Sequence, residues 1–206
     1  MKAVRRVLAV AAALVVVVTS VASAQVSFIG TTSFRFNGSG AFTSSATFQG
    51  LTVNSGSFDI FTSAADETQG WSNGGTLRLA YPPRYDYTAN RTTLDMRITF
   101  ASPTTAFQTF NAGVTGRIRS VGNGILVGFT NSPISNIPYS IPGATGTFQL
   151  SVFGFGATAN ATNASAFTGS ITEQSFVTPE PASMGLLATG LFGVFAVARR
   201  RKNSAN

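Results

Sequence analysis

The chain predicts an all-β fold, an antiparallel β-sandwich of jelly-roll type, with an N-terminal signal helix and a single C-terminal transmembrane helix outside it. Three observations carry that expectation. Between residues 25 and 178, short runs alternate apolar and polar side chains, most clearly Leu94-Asp95-Met96-Arg97-Ile98-Thr99-Phe100. There Leu94, Met96, Ile98 and Phe100 share one face and Asp95, Arg97 and Thr99 the other, the period of a half-buried antiparallel strand. Turn-forming residues punctuate the runs, and no window of this body shows a long 3.6-residue apolar repeat. Both chain ends carry apolar stretches bordered by basic residues, a pattern of targeting rather than of a core.

From the start, residues 1–24 read as a secretory signal peptide. Lys2, Arg5 and Arg6 form its basic region, and residues 7–18 are twelve uninterrupted apolar positions. Ala22-Ser23-Ala24 supplies the small-x-small cleavage pattern, so the mature chain begins near Gln25. Arg5-Arg6 has the look of a twin-arginine signal. The very hydrophobic run and the flanking residues fit the general secretory route better, with the translocon and signal peptidase as partners.

The exported body, 25–178, has the length of one domain. Strands are expected at 33–37, 57–61, 76–81, 94–100, 114–121, 125–129, 147–153 and 165–172. Turn signals lie between them at Asn37-Gly38, Asn54-Ser55-Gly56, Asn73-Gly74-Gly75, Gly122-Asn123-Gly124 and Pro142-Gly143. Gly122-Asn123-Gly124, between two apolar runs, is the best hairpin. Residues 63–75 read as a loop. Residues 130–146, with Pro133, Pro138 and Pro142, read as an irregular crossing connection. Residues 158–165 are polar and of low complexity, a solvated loop. Many short strands argue for a sandwich, with a barrel as the alternative.

The formal charge of +7 is misleading. Three of the cations sit in the signal segment and four at the C-terminus, leaving the body seven arginines against six acids. Nucleic acid is therefore not an expected partner. The chain has no cysteine and no histidine. Disulfides, Ser-His-Asp and Cys-His catalysis, and His/Cys zinc sites are excluded with them.

Carboxylates remain. Asp66-Glu67 with Asp59 or Asp86 is the only glycosidase-like pairing to consider, and loop charges paired with arginines are the simpler reading. Asp66 and Glu67 are also weak calcium candidates, without EF-hand spacing; no other cofactor is expected. Tyr81-Pro82-Pro83-Arg84-Tyr85-Asp86-Tyr87 gathers three of the four tyrosines, with Trp71 ten residues earlier. Trp71, Tyr81, Arg84, Tyr85 and Tyr87 could offer aromatic faces and planar polar groups to a sugar. The preferred reading is a tight turn whose tyrosines cap the edge of the core. The phenylalanines, spaced through the strands, are core.

The C-terminus has three parts in fixed order: Pro179-Glu180-Pro181, an apolar run at 182–198, and the cluster Arg199, Arg200, Arg201 and Lys202. As a helix with a rise of about 1.5 Å per residue the run reaches roughly 25 Å, close to a hydrocarbon core of about 30 Å. The basic tail at 199–202 keeps the C-terminus cytoplasmic, so both ends agree that residues 25–178 are translocated.

These parts, over residues 179–206, together resemble the PEP-CTERM sorting signal of Gram-negative bacteria. The valine usual just before the motif stands one residue further away, as Val177 followed by Thr178. The resemblance implies that exosortase recognises Pro179, Glu180 and Pro181 and processes the chain at or near them. It further implies a transient inner-membrane anchor, then a cell-surface or extracellular location in contact with exopolysaccharide and biofilm.

Three functions compete. The first is a non-catalytic surface or matrix protein, which the targeting segments and the catalytically poor body favour. The second is a carbohydrate-binding module using Trp71 and the tyrosine cluster. The third, a glycan-active enzyme, requires paired carboxylates in one cleft. A solvent-facing aromatic platform would favour binding; buried rings would favour the first.

Overall fold

The computed structural model describes residues 25–80, 84–160 and 163–177, together with Gly190 and Gly193, both helical. The expected signal helix at 1–24, Tyr81, and the segment 179–206 apart from those two glycines lie outside the described residues. Among the described residues no helix is long and apolar enough to cross a membrane.

Gln25–Val177 forms one unit built only of antiparallel strands. The first eight are β1 (Val26–Phe36), β2 (Ser45–Phe48), β3 (Leu51–Asn54), β4 (Ser57–Thr62), β5 (Thr68–Trp71), β6 (Thr76–Leu79), β7 (Tyr85–Asp86) and β8 (Thr93–Ser102). The next eight are β9 (Phe107–Thr115), β10 (Arg117–Ile118), β11 (Gly124–Phe129), β12 (Ile134–Ile141), β13 (Ala144–Val152), β14 (Phe155–Thr158), β15 (Ser165–Ala166) and β16 (Gly169–Val177). A six-stranded sheet runs β14-β11-β9-β8-β1-β4, and two four-stranded sheets run β12-β13-β16-β5 and β15-β6-β3-β2. A short β10-β7 ribbon completes the fold.

Alternation builds the large sheet. Along β1 the inward positions are Val26, Phe28, Gly30, Thr32, Phe34 and Phe36. Along β8 they are Leu94, Met96, Ile98 and Phe100, as the sequence expects. This inner face packs on both smaller sheets, which together make a sandwich-like second layer. Phe148 of β13 meets Phe28 at 4.9 Å and Phe100 at 5.3 Å between ring centres, both edge to face. Phe34 meets Phe167 at 4.7 Å, and Phe36 stacks on Phe48 at 5.5 Å. Such pairs add about 0.5–1.5 kcal/mol each beyond the burial of their surface.

Several expectations need correction. The stretch 63–75 is not all loop, because its residues 68–71 form β5 and pair with β16. The stretch 130–146 holds β12 and the start of β13, hydrogen-bonded to each other around the Pro142-Gly143 turn. Pro138 is tolerated there because β12 is an edge strand, where a missing N–H costs no ladder bond. The strand expected at 114–121 breaks at Gly116, whose φ of +134° ends β9 and lets β10 leave to pair with β7. Gly122-Asn123-Gly124 is consequently no tight hairpin. The Asn123 side-chain oxygen instead accepts the amides of Arg119 and Ser120, at 2.9 and 3.0 Å, rounding a longer connection. Strand 33–37 is only the end of β1. Its earlier half was hidden by inward Gly30, which makes room for the Phe58 ring, and inward Thr32. The Thr32 hydroxyl donates to the Gly74 carbonyl at 2.8 Å and accepts the Gly56 amide at 3.0 Å.

Two glycine substitutions separate packing from propensity. A Cβ at Gly169 would run into the Ser151 carbonyl and the Trp71 indole, whereas one at Gly113 meets nothing within 4 Å. Gly169→Ala is expected to lower stability by about 1–3 kcal/mol through overpacking, and Gly113→Ala to leave it within about 0.5 kcal/mol. Urea unfolding followed by the fluorescence of Trp71, the only tryptophan, checks both.

Candidate functional site

The aromatic residues singled out by the sequence go mostly inward. Trp71 ends β5, is 4% exposed, and stacks on Phe58 at 5.1 Å and 17°. Its indole N–H is buried without a hydrogen-bond partner among the described residues. Tyr87 is fully buried; its hydroxyl donates to the Gln49 carbonyl at 2.5 Å, and burial, with Tyr85 beside it, pushes its pKa up to about 12. Tyr85 is half-buried, set edge to face on Tyr87 at 4.8 Å and on Phe48 at 6.0 Å. Arg84 is exposed, and Tyr81 lies outside the described residues. The sugar-binding platform, the alternative to a tight turn capping the core, is not formed by Trp71 and Tyr87, whose rings stand at inward positions and are buried in the core.

Asp86, within the same stretch, holds the local turn. Its carboxylate accepts the Ala89 amide at 2.9 Å and pairs with Arg117, joining β7 to β10. The Ala89 amide, then Arg117, draws its pKa down.

Asp66 and Glu67 sit at a turn before β5. Asp66 is exposed with φ +63°. Glu67 accepts from the Ser63 amide at 2.5 Å, the Ser63 hydroxyl at 3.0 Å and the Gln69 amide group at 2.8 Å. The Ser63 amide, then Gln69, lowers its pKa. Its lone pairs are thus committed to shaping the turn. No cluster of three metal-ligating side chains occurs among the described residues. Asp59, on the outward side of β4, accepts from the Ser27 hydroxyl at 3.1 Å, and Asp95 holds Arg35 at 2.8 Å.

One acid went unnoticed in the sequence. Glu173 on β16 is fully buried. Its two carboxyl oxygens accept the Tyr139 hydroxyl at 2.9 Å and the Thr62 hydroxyl at 3.0 Å, so three strands converge on it. Burial raises its pKa; the two hydroxyl donors pull it back and the Glu67 charge adds to the rise. Burial and then Glu173 raise the pKa of Tyr139 as well. The signal was there: Ile171 points inward, and two positions on the same strand parity require an inward residue at 173. Beyond Tyr139, a broad open depression of about 610 Å³ is lined by Ser102, Thr104, Thr105 and Ser140. Pro103, Pro138 and Ile141 complete its walls with apolar surface, and no carboxylate is among its lining residues.

The buried carboxyl makes stability depend on pH with a definite sign. The folded state holds the Glu173 proton more tightly than the unfolded chain, whose value is near 4.5. Its stabilising contribution is complete below that value and is lost as pH rises through the raised one. Glu67 has the opposite sign, since its contribution fades as pH falls through its lowered value. Glu173→Gln is expected to remove the decline above pH 4.5 while keeping both hydroxyl partners. Glu173→Ala, which strands the Tyr139 and Thr62 hydroxyls, should cost about 1–3 kcal/mol. Urea midpoints measured at stepped pH distinguish the three proteins.

Residues 177–202 match the family model of the PEP-CTERM protein-sorting motif. No curated protein and no solved structure matches the chain. The match begins at Val177, the last residue of β16, and ends at Lys202, enclosing Pro179-Glu180-Pro181 and the basic cluster. The chain thus ends in a PEP-CTERM protein-sorting motif, which supports export and sorting by exosortase.

Proposed function

We propose that this is an exported, non-catalytic surface or extracellular-matrix protein whose β body is displayed after exosortase acts at Pro179-Glu180-Pro181. The observation that carries the reading is the sorting motif at residues 177–202, which takes over where the last strand of the body ends. In this reading residues 1–24 direct secretion and are removed before Gln25. Residues 182–198 anchor the chain transiently in the inner membrane, with Arg199 to Lys202 held on the cytoplasmic side. The body then serves the cell surface, in contact with exopolysaccharide or biofilm.

The geometry of the body supports a structural role. Asp86 and Asp95 are paired with arginines, Glu67 caps a turn, and Glu173 is sealed beneath Tyr139 and Thr62. None of these carboxylates stands free across a cleft from another, as glycoside hydrolysis requires. Burial of Trp71 and Tyr87 likewise speaks against a sugar-binding platform built on them.

Expression of the full chain in hosts with and without exosortase tests the reading. A shortened form, by intact mass, is expected only where exosortase is present, and replacing Pro179-Glu180-Pro181 by alanines should abolish the shortening. An unchanged C-terminus in both hosts would sink the sorting mechanism and leave a protein tethered to the inner membrane.

A further inference from the structure

The outward face of the six-stranded sheet carries a group that sorting does not use. Arg97 stands in the middle of β8, in register with Ser33 of β1 on one side and Thr109 of β9 on the other. Its guanidinium carbon lies 3.9 Å from the centre of the Phe42 ring and 4.6 Å from that of Phe107. Neighbouring Arg35 shares Phe42 at 4.5 Å, but its charge is met by Asp95 at 2.8 Å. Arg97 has no such partner. The ion pairs among the described residues are Arg35–Asp95 and Arg117–Asp86, and the Arg97 Nε is buried without a hydrogen bond.

Rings against a guanidinium displace water from it without using its in-plane N–H donors. Those donors form a planar fork that matches a carboxylate. Around the fork the sheet offers hydroxyls from Thr31, Ser33, Thr99 and Thr109 on the same outward parity. Phe107 is 56% exposed, and towards the far end of β9 the outward Gly113, paired with Gly128 of β11, leaves open space above the sheet. The surface is rich in hydroxyls, and with Arg35 balanced by Asp95 the Arg97 charge is left over.

We propose that Arg97 and Phe107 bind an acidic, uronate-type polysaccharide laid across this face, the guanidinium taking one sugar carboxylate and the exposed ring packing on a sugar C–H face. One uncompensated cation among hydroxyls suits a chain of neutral rims and spaced carboxylates. A nucleic acid presents a dense row of phosphates and calls for several cations together, and an acidic peptide lacks the sugar C–H face on which an exposed ring packs. The proposal rests on the reading of an exported matrix protein and names the ligand class that its body meets.

The test uses the full chain in detergent micelles with three probes: oligogalacturonate, a neutral maltodextrin and polyglutamate. Binding of oligogalacturonate that weakens with added salt is expected, with none of maltodextrin. Arg97→Gln should weaken it about tenfold or more, the size of a lost charge-assisted pair. Phe107→Ala should weaken it too, and Arg78→Gln, exposed on β6 in another sheet, should not. Trp71 emission reports whether each variant is folded; if Arg97→Gln is not, Phe107→Ala decides, since its ring lies outside the core. Unchanged affinity in the folded variants, equal binding of polyglutamate, or no binding of oligogalacturonate would each overturn the site. Intact masses from the exosortase experiment keep the two ideas apart. Failed binding with normal processing removes the site alone, and failed processing with normal binding removes the sorting reading alone.

Discussion

The fold depends on aromatic side chains meeting across two layers. Phe148 sits edge-on to Phe28 and Phe100, Phe34 meets Phe167, and Trp71 stacks on Phe58 where β4 and β5 approach. A chain without cysteine has no covalent staple, so these contacts must replace what disulfides supply in many exported domains. Rings achieve this because each buries a large area at the cost of few rotors. The glycines follow from the same requirement: Gly30 yields its side-chain volume to Phe58, and Gly74 and Gly169 yield theirs to Trp71.

Polar groups taken inside are answered individually. Thr32 bridges Gly56 and Gly74, tying the β3–β4 and β5–β6 connections to β1. Glu173 collects the hydroxyls of Tyr139 and Thr62, joining β12 and β4 to β16. Burial favours the protonated form of Glu173 and outweighs the two hydroxyl donors, which favour the ionised form, so its effect on stability runs opposite to that of the solvated Glu67. On the outside, ion pairs are local: Arg35–Asp95 spans neighbouring strands, and Arg117–Asp86 fastens the two-stranded ribbon. Pairs of that kind set register more than they set stability.

What was legible divides by the range of the forces involved. Strand 94–100 is legible because each inward position is apolar, so the period shows without its neighbours. β1 is legible only in part, since Gly30 and Thr32 occupy inward positions for reasons that lie on other strands. β5 resembles a loop because its exposed Thr68 and Gly70 alternate with a single large residue, Trp71. β12 resembles a crossing because prolines argue against strands, and only the sheet order shows that it lies at an edge.

By itself the sequence determined the sorting motif at residues 177–202 and the β character of the body that precedes it. Those properties are written in consecutive residues: run length, flanking charge and alternation. Only the tertiary structure decided that Trp71 and Tyr87 belong to the core, that Glu173 is sealed under Tyr139 and Thr62, and that Arg97 lies against Phe42 and Phe107 with no ion pair among the described residues. Each of these depends on contacts between residues far apart in the chain. Burial and pairing are properties of the assembled sheets, and local pattern specifies a strand's faces without naming its neighbours.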